Sequence, residues 1–201
     1  MLLLLGTKNT NKIREITTIL SDVPNVKFLT FRECPFSDVS EDGKTFAENA
    51  RKKATEICAQ TGLPVLAEDS GLEVYALGGA PGVESARFAG AHKDSRANMA
   101  KLLELLKDKE DRRARFRCVV VLVFPDGREL LSEGVLEGQI APAPRGTGGF
   151  GYDPVFIPKG YAQTLAELGP EIKNRISHRR RALEGLKAYI TQHCSLLERH
   201  Q

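Results

Sequence analysis

The chain has 201 residues, 41% hydrophobic and 27% charged, with 29 Lys+Arg against 26 Asp+Glu for a net charge of +3. That length suits one domain or two closely joined lobes with a core that needs no staples, and the composition is too apolar for disorder. The charge is too mild to mark a nucleic-acid binder. Cys34, Cys58, Cys118 and Cys194 form no CxxC pair. Neither a zinc site nor a disulfide framework is therefore expected, and buried free thiols in a reducing cytosol are. The apolar run Leu2 to Leu5 is too short for a signal-peptide core, and nothing approaches the roughly 20 apolar residues of a membrane span. Secretion and membrane insertion are not expected.

In chain order, short apolar strands alternate with amphipathic helices, which predicts an α/β or mixed fold. Leu2 to Leu5 reads as a buried strand. A helix from Asn9 or Thr10 to Leu20 places Ile13, Ile16 and Leu20 on one face. A second helix starts at Thr45, which has capping-box spacing to Glu48, and stops near Gly62. Val65 to Glu68 is a short strand, and Asp69-Ser70-Gly71 has turn composition. Ser95 caps a helix carrying Met99, Leu102, Leu103 and Leu106. The charged run at 107–115 reads as a solvated loop. Arg117 to Phe124 is a valine-rich strand, Pro125-Asp126-Gly127 a hairpin turn, and Arg128 to Leu136 its partner. A last helix from Ser177 aligns Leu183, Leu186, Ile190 and Leu197. No repeat, low-complexity tract or linker interrupts the chain, which reads as one compact unit.

Four segments carry chemistry. Thr7-Lys8-Asn9-Thr10-Asn11-Lys12 joins the first strand to its helix, where free N–H groups and the positive helix end suit phosphate. The pattern is neither a Walker loop nor a GxGxxG fingerprint. The alternative is a capped helix with solvated lysines. Glu41-Asp42 and Glu68-Asp69 are acidic clusters. Asp69 ends a predicted buried strand, where open α/β sheets place ligands, and hard oxygen donors of this kind suit Mg²⁺. The alternative for Glu41-Asp42 is favourable turn and helix-dipole chemistry. The loop 145–154 places Phe150, Tyr152 and Asp153 among four glycines. There the rings can stack on a base and the carboxylate can accept from it, or the loop is a structural turn. Ser177-His178-Arg179-Arg180-Arg181 crowds cations at a helix N-terminus against the dipole, and Lys173 adds another upstream. An exposed basic patch is the alternative.

Taken in order, TKNTNK at 7–12, EDGKTFAENARKKA at 41–54, AEDSGLEVYALGGAPGVESARFAG at 67–90, GTGGFGYDPVF at 146–156 and SHRRRAL at 177–183 resemble the inosine triphosphatase, or Ham1-like, family. Its members are pyrophosphatases of non-canonical purine nucleoside triphosphates. The resemblance implies a single domain over 1–201, a two-lobed elongated α/β fold with a mixed sheet, flanking helices and a central nucleotide cleft. It also implies a cytoplasmic homodimer with no stable nucleic-acid partner and no membrane association. The implied reaction is Mg²⁺-dependent cleavage of ITP, dITP or XTP to the monophosphate and pyrophosphate.

By the same resemblance, Thr7, Lys8, Asn9, Thr10, Asn11 and Lys12 hold the triphosphate, and Ser70 contacts substrate. Glu41 and Asp69 are the Mg²⁺ ligands, and Asp69 is the general base. Phe150 stacks on the purine, with Gly151, Tyr152 and Asp153 completing the wall. Lys173, His178 and Arg179 reach the base and its 6-oxygen, which favours a carbonyl over the adenine amino group. Lys8 and Glu68 depart from the common pattern, and Glu68 is given no metal bond. The rival readings are a pyrophosphatase for other nucleotides, a nucleotide sensor without catalysis, and an RNA-binding module using the basic patch.

Overall fold

The structure, a computed structural model, describes residues 1–198, with side chains described as far as Gln192. The expected packing of Leu197 and the state of Cys194 lie outside the described side chains. The fold is mixed α/β. Strands β1 (Leu2–Leu5), β2 (Lys27–Leu29), β3 (Val65–Val74), β4 (Arg113–Val123), β5 (Glu129–Ile140) and β6 (Phe156–Pro158) form a six-stranded sheet in the order β2-β1-β3-β4-β5-β6. The helices are α1 (Thr10–Ile19), α2 (Phe46–Thr61), α3 (Ser95–Leu105), α4 (Leu165–Ile176) and α5 (His178–Glu198). β1 is parallel to both β2 and β3, whereas β5 and β6 are antiparallel. Parallel neighbours need crossover connections, which α1 and α2 supply.

The chain divides into two compact units. Unit 1 holds Met1–Asp69, Cys118–Gly134 and the chain from Arg179, while unit 2 holds Ser70–Arg117 and Val135–His178. Strands β3, β4 and β5 each begin in one unit and end in the other. The core of unit 1 gathers Leu3 and Leu5 of β1, Ile16 and Ile19 of α1, Leu66 of β3, Val120 and Leu122 of β4, and Leu183, Leu186 and Ile190 of α5. The core of unit 2 gathers Leu72 and Val74, Met99 and Leu102, Ala114 and Phe116, and Tyr152, Val155, Phe156 and Leu165.

Most expected elements form, the short strands β2 and β6 add to them, and the main differences have physical reasons. Asp69-Ser70-Gly71 is no turn: β3 continues through it to Val74, with Leu72 and Val74 fully buried. Polar partners from elsewhere satisfy this stretch, including the Ser85 hydroxyl that accepts the Leu72 N–H at 2.8 Å. Asp94, not Ser95, caps α3, its carboxylate accepting from the N–H groups of Arg96 and Ala97. β4 starts at Arg113, inside the charged run, because Ala114 and Phe116 alternate inward while the arginines alternate outward. Thr45 caps α2 through the Glu48 N–H, but Glu48 answers to the Lys44 N–H, so the box is not reciprocal. Helix α4 went unread. Its reciprocal capping box, Thr164 with Glu167, is present, but Gly169 and Pro170 break the helical phase. Among the described residues no helix is long and apolar enough to cross a membrane.

Candidate active site

Unit 1 carries the acidic and basic groups. The tight strand-to-helix loop after β1 begins where the Thr7 N–H donates to the Leu5 carbonyl. Asn9 is the N-cap of α1, its side-chain oxygen accepting from the N–H groups of Asn11 and Lys12 at 3.0 and 3.2 Å. Thr7 Oγ1 accepts from the Asn9 N–H. The loop is therefore a capped helix start, with Asn9 covering two of the N–H groups a phosphate would otherwise receive. Lys8 is exposed, pairs with Asp38 at 2.8 Å and lies over the Phe36 ring. Thr10 opens the helix, and the Asn11 side chain accepts from Arg14.

Lys12 points to Glu68, Nζ to Oε1 at 3.0 Å. Glu68 is 1% exposed, and its carboxylate takes a two-pronged contact from the Arg179 guanidinium, Nε to Oε2 at 2.6 Å and Nη2 to Oε1 at 2.8 Å. A third Arg179 nitrogen donates to Glu15, and the Cys118 thiol donates to Glu68 Oε2 at 3.3 Å. Burial alone would raise the Glu68 carboxyl, but Arg179 and Lys12 beside it hold it well below the usual carboxylate range. Burial would likewise lower the Lys12 ammonium, and the charge of Glu68 reverses this into a net rise. Arg179, expected at the base, is instead 1% exposed and committed to two carboxylates of unit 1.

Asp69, the next residue, has the opposite character. It is 5% exposed, and burial pushes its carboxyl above the ordinary value against the pull of Lys53, Lys12 and an Asn49 N–H; the charge of Glu41 adds to the rise. Asn49 Nδ2 donates to Asp69 Oδ2 at 2.9 Å. Lys53 Nζ stands 3.2 Å from the partly exposed Glu41 carboxylate. Asp42 turns outward to Lys52. Glu41 and Asp69 thus share one cation, Lys53. Among the described residues no group of three or more His, Cys, Asp or Glu side chains is arranged to hold a metal. Mg²⁺ needs no such cage, since it binds through one or two carboxylates, water and substrate phosphates, and two carboxylates beside a lysine fit that habit.

Unit 2 carries the glycine-rich loop. Asp153 is 1% exposed, and its Oδ2 accepts from the Phe150 N–H at 2.8 Å and from Lys173 Nζ at 2.6 Å. Lys173 Nζ also lies 4.2 Å from the centre of the Phe150 ring. Gly149 permits this closure: its φ is +72°, and a Cβ there would sit 2.1 Å from Asp153 Oδ2. Phe150 and Gly151 are partly exposed, Gly151 also in the left-handed region. Tyr152 corrects the expectation of a second stacking ring. It is 5% exposed within the unit 2 core, its hydroxyl donates to the Ser85 carbonyl at 2.8 Å, and burial raises its phenol. His178 is buried with its ring stacked 4.8 Å from Phe116. Ser70 is partly buried within β3.

Three residues absent from the sequence reading belong to the site: Asn49, Lys53 and Glu15. Asn49 and Lys53 are polar residues on the buried stripe of α2, which otherwise reads Phe46, Ala50, Ala54, Ile57 and Cys58. Polar side chains interrupting an apolar stripe are a legible signal. Glu15 lies beside Ile16 and Ile19 on α1 in the same way.

A mixed α/β chain with a capped strand-to-helix loop, a buried strand carboxyl near lysines and a glycine-rich aromatic loop has the features of a nucleotide-handling protein. Residues 3–189 match the Ham1 family, and the chain belongs to it. It is similar to the dITP/XTP pyrophosphatase of Geobacter sulfurreducens, 49% identical over 94% of this chain and 96% of that protein. It is also similar to the dITP/XTP pyrophosphatase of Desulforamulus reducens, 51% identical over 92% of each. Among solved structures, the Ham1 protein of Coxiella burnetii aligns with a TM-score of 0.88 at 43% identity, covering 96% of this chain and 99% of that one. The Staphylococcus aureus Ham1 protein gives 0.87 at 39%, covering 96% and 100%.

Proposed function

We propose that the chain hydrolyses dITP, XTP and ITP to the nucleoside monophosphate and pyrophosphate, with Mg²⁺, and so removes deaminated purines from the nucleotide pool. The observation that carries this reading is Asp69: a buried carboxyl, raised by burial, fixed by an amide N–H and accompanied by two lysines. Water attacks the α-phosphorus, its oxygen forming the new P–O bond while the bond from the α-phosphorus to the bridging oxygen breaks and pyrophosphate departs. Asp69 accepts the proton of that water. A carboxyl held above its ordinary value is a stronger base than an exposed aspartate.

Glu41 and Asp69 would hold Mg²⁺, which neutralises phosphate charge when bound. Lys12 and Lys53 add positive charge, and Thr7 to Asn11 present the loop at the start of α1. Phe150 stacks on the purine, with Gly151 beside it. Asp153 and Lys173 fix the loop, and the Lys173 cation favours an acceptor on the base. Tyr152 supports the loop from the core. The free thiols of Cys34, Cys58 and Cys118 suit a reducing cytoplasm. The chain acts as one domain and, as the family resemblance implies, as a homodimer, which light scattering of the purified protein measures.

The experiment is pyrophosphate release from dITP, XTP and ITP beside dATP and GTP, with and without Mg²⁺. Release selective for the deaminated purines is expected. Equal release from all five would place the chain among broader pyrophosphatases, and binding without release would make it a sensor.

A further inference from the structure

We infer that Asn49 is a positioning residue for the proposed reaction, one carboxamide tying the loop of Glu41 to the carboxylate of Asp69. The inference rests on the reading of Asp69 as the reacting base. Asn49 is 1% exposed on the inward face of α2. Its Nδ2 donates to Asp69 Oδ2 at 2.9 Å, and its Oδ1 accepts the Gly43 N–H at 2.8 Å. The amide orientation follows from its partners, since an ionised carboxylate only accepts and a backbone N–H only donates. Neither end can be reversed without losing both bonds.

Gly43 is the other half of the clamp. A Cβ there would lie 2.7 Å from Asn49 Oδ1 and 2.8 Å from Glu48 Cβ, so only glycine lets the loop come this close. Glu41 precedes it by two residues, and Lys53, one turn further along α2 from Asn49, reaches the Glu41 carboxylate at 3.2 Å. Asn49 and Lys53 therefore secure the two proposed acidic groups from adjacent turns of one helix. The N–H on Oδ2 helps to orient the Asp69 carboxylate. The carboxamide offers its donor and its acceptor on separate atoms, one for each partner. Aspartate would place a second carboxylate against Asp69, and leucine would leave the partly buried Gly43 N–H without this acceptor.

The test uses the full chain and three variants, Asn49→Asp, Gly43→Ala and Asp69→Ala. Asn49→Asp keeps the acceptor for Gly43 and removes the donor to Asp69. Expected is a fall in kcat for dITP of about 10- to 100-fold with KM nearly unchanged, the scale on which outer-shell partners and small misplacements act. A purely structural role would instead lower the unfolding temperature and leave kcat of the folded fraction intact. A second readout needs no turnover: the Asn49 side-chain amide signals, assigned by their loss in Asn49→Asp, should shift in Asp69→Ala and in Gly43→Ala. Unmoved amide signals, or wild-type kcat in Asn49→Asp while Asp69→Ala is inactive, overturn the inference and leave the proposed function standing. A wild-type chain that does not cleave dITP overturns both.

Discussion

Unit 1 gathers four charged side chains in contact, Lys12, Glu15, Glu68 and Arg179, whereas unit 2 sets Lys173 on Asp153 against an aromatic ring. In unit 1 the charges belong to three stretches far apart in sequence, so the network exists only when β3, α1 and α5 are packed together. In unit 2 the pair closes a local loop, and the carboxylate also holds the Phe150 N–H. The first arrangement fixes the scaffold beside Asp69, the carboxyl proposed to react. The second holds the loop proposed to recognise the base. The contrast is sharpest between adjacent residues of β3: Glu68 is driven below the carboxylate range by Arg179 and Lys12, and Asp69 is driven above it by burial.

The largest effect expected from breaking this contrast is on turnover. Asp69→Asn should reduce pyrophosphate release from dITP by about 10²- to 10⁴-fold, the range for removing a general base. The same variant should unfold at an equal or higher temperature, because a carboxyl whose folded value is raised opposes folding at neutral pH. Glu68→Gln should do the reverse of this on stability. Leaving the buried Arg179 short of a partner costs about 3–5 kcal/mol, measurable by urea unfolding. The pH dependence follows in sign: the folded Glu68 carboxyl lies below its unfolded value, so its stabilisation is complete at neutral pH. It drains away as pH falls from the ordinary carboxylate range toward the lowered folded value. Glu68→Gln should flatten that acid limb.

In unit 2 the expected effects are on substrate affinity. Phe150→Ala should raise KM for dITP about 5- to 100-fold with a smaller change in kcat, the worth of one base stacking on an aromatic ring. Steady-state kinetics separate the two constants. The smallest effect is at Lys8, whose ion pair with Asp38 is solvent-exposed: Lys8→Ala should leave the unfolding temperature unchanged. A raised KM in that variant would show that the lysine leaves Asp38 for a phosphate.

Elements whose signals are local were legible in the sequence. Leu2–Leu5, the helix after Asn9 and the helix from Thr45 to Gly62 announce themselves by period and cap. What stayed hidden depends on distant partners. Asp69-Ser70-Gly71 looks like a turn until Asn49, 20 residues away, satisfies the aspartate and the strand can continue. Arg113 and Arg115 look like solvated charge until the inward alternation of Ala114 and Phe116 is weighed with them. Arg179 looks like a surface cation, because nothing local reveals a carboxylate 164 residues upstream. The site was legible as a set of residue types; the proposed division of labour within it was not, since it depends on which buried carboxylate distant cations reach.

The most direct test of that division is a carboxyl ¹³C NMR titration of Glu68 and Asp69 in the metal-free wild-type chain, assigned with Glu68→Gln and Asp69→Asn. Asp69 should titrate above its ordinary value near 3.9, and Glu68 should stay ionised well below its ordinary value near 4.3. Two carboxyls titrating together at ordinary values, or in the opposite order, would contradict the account.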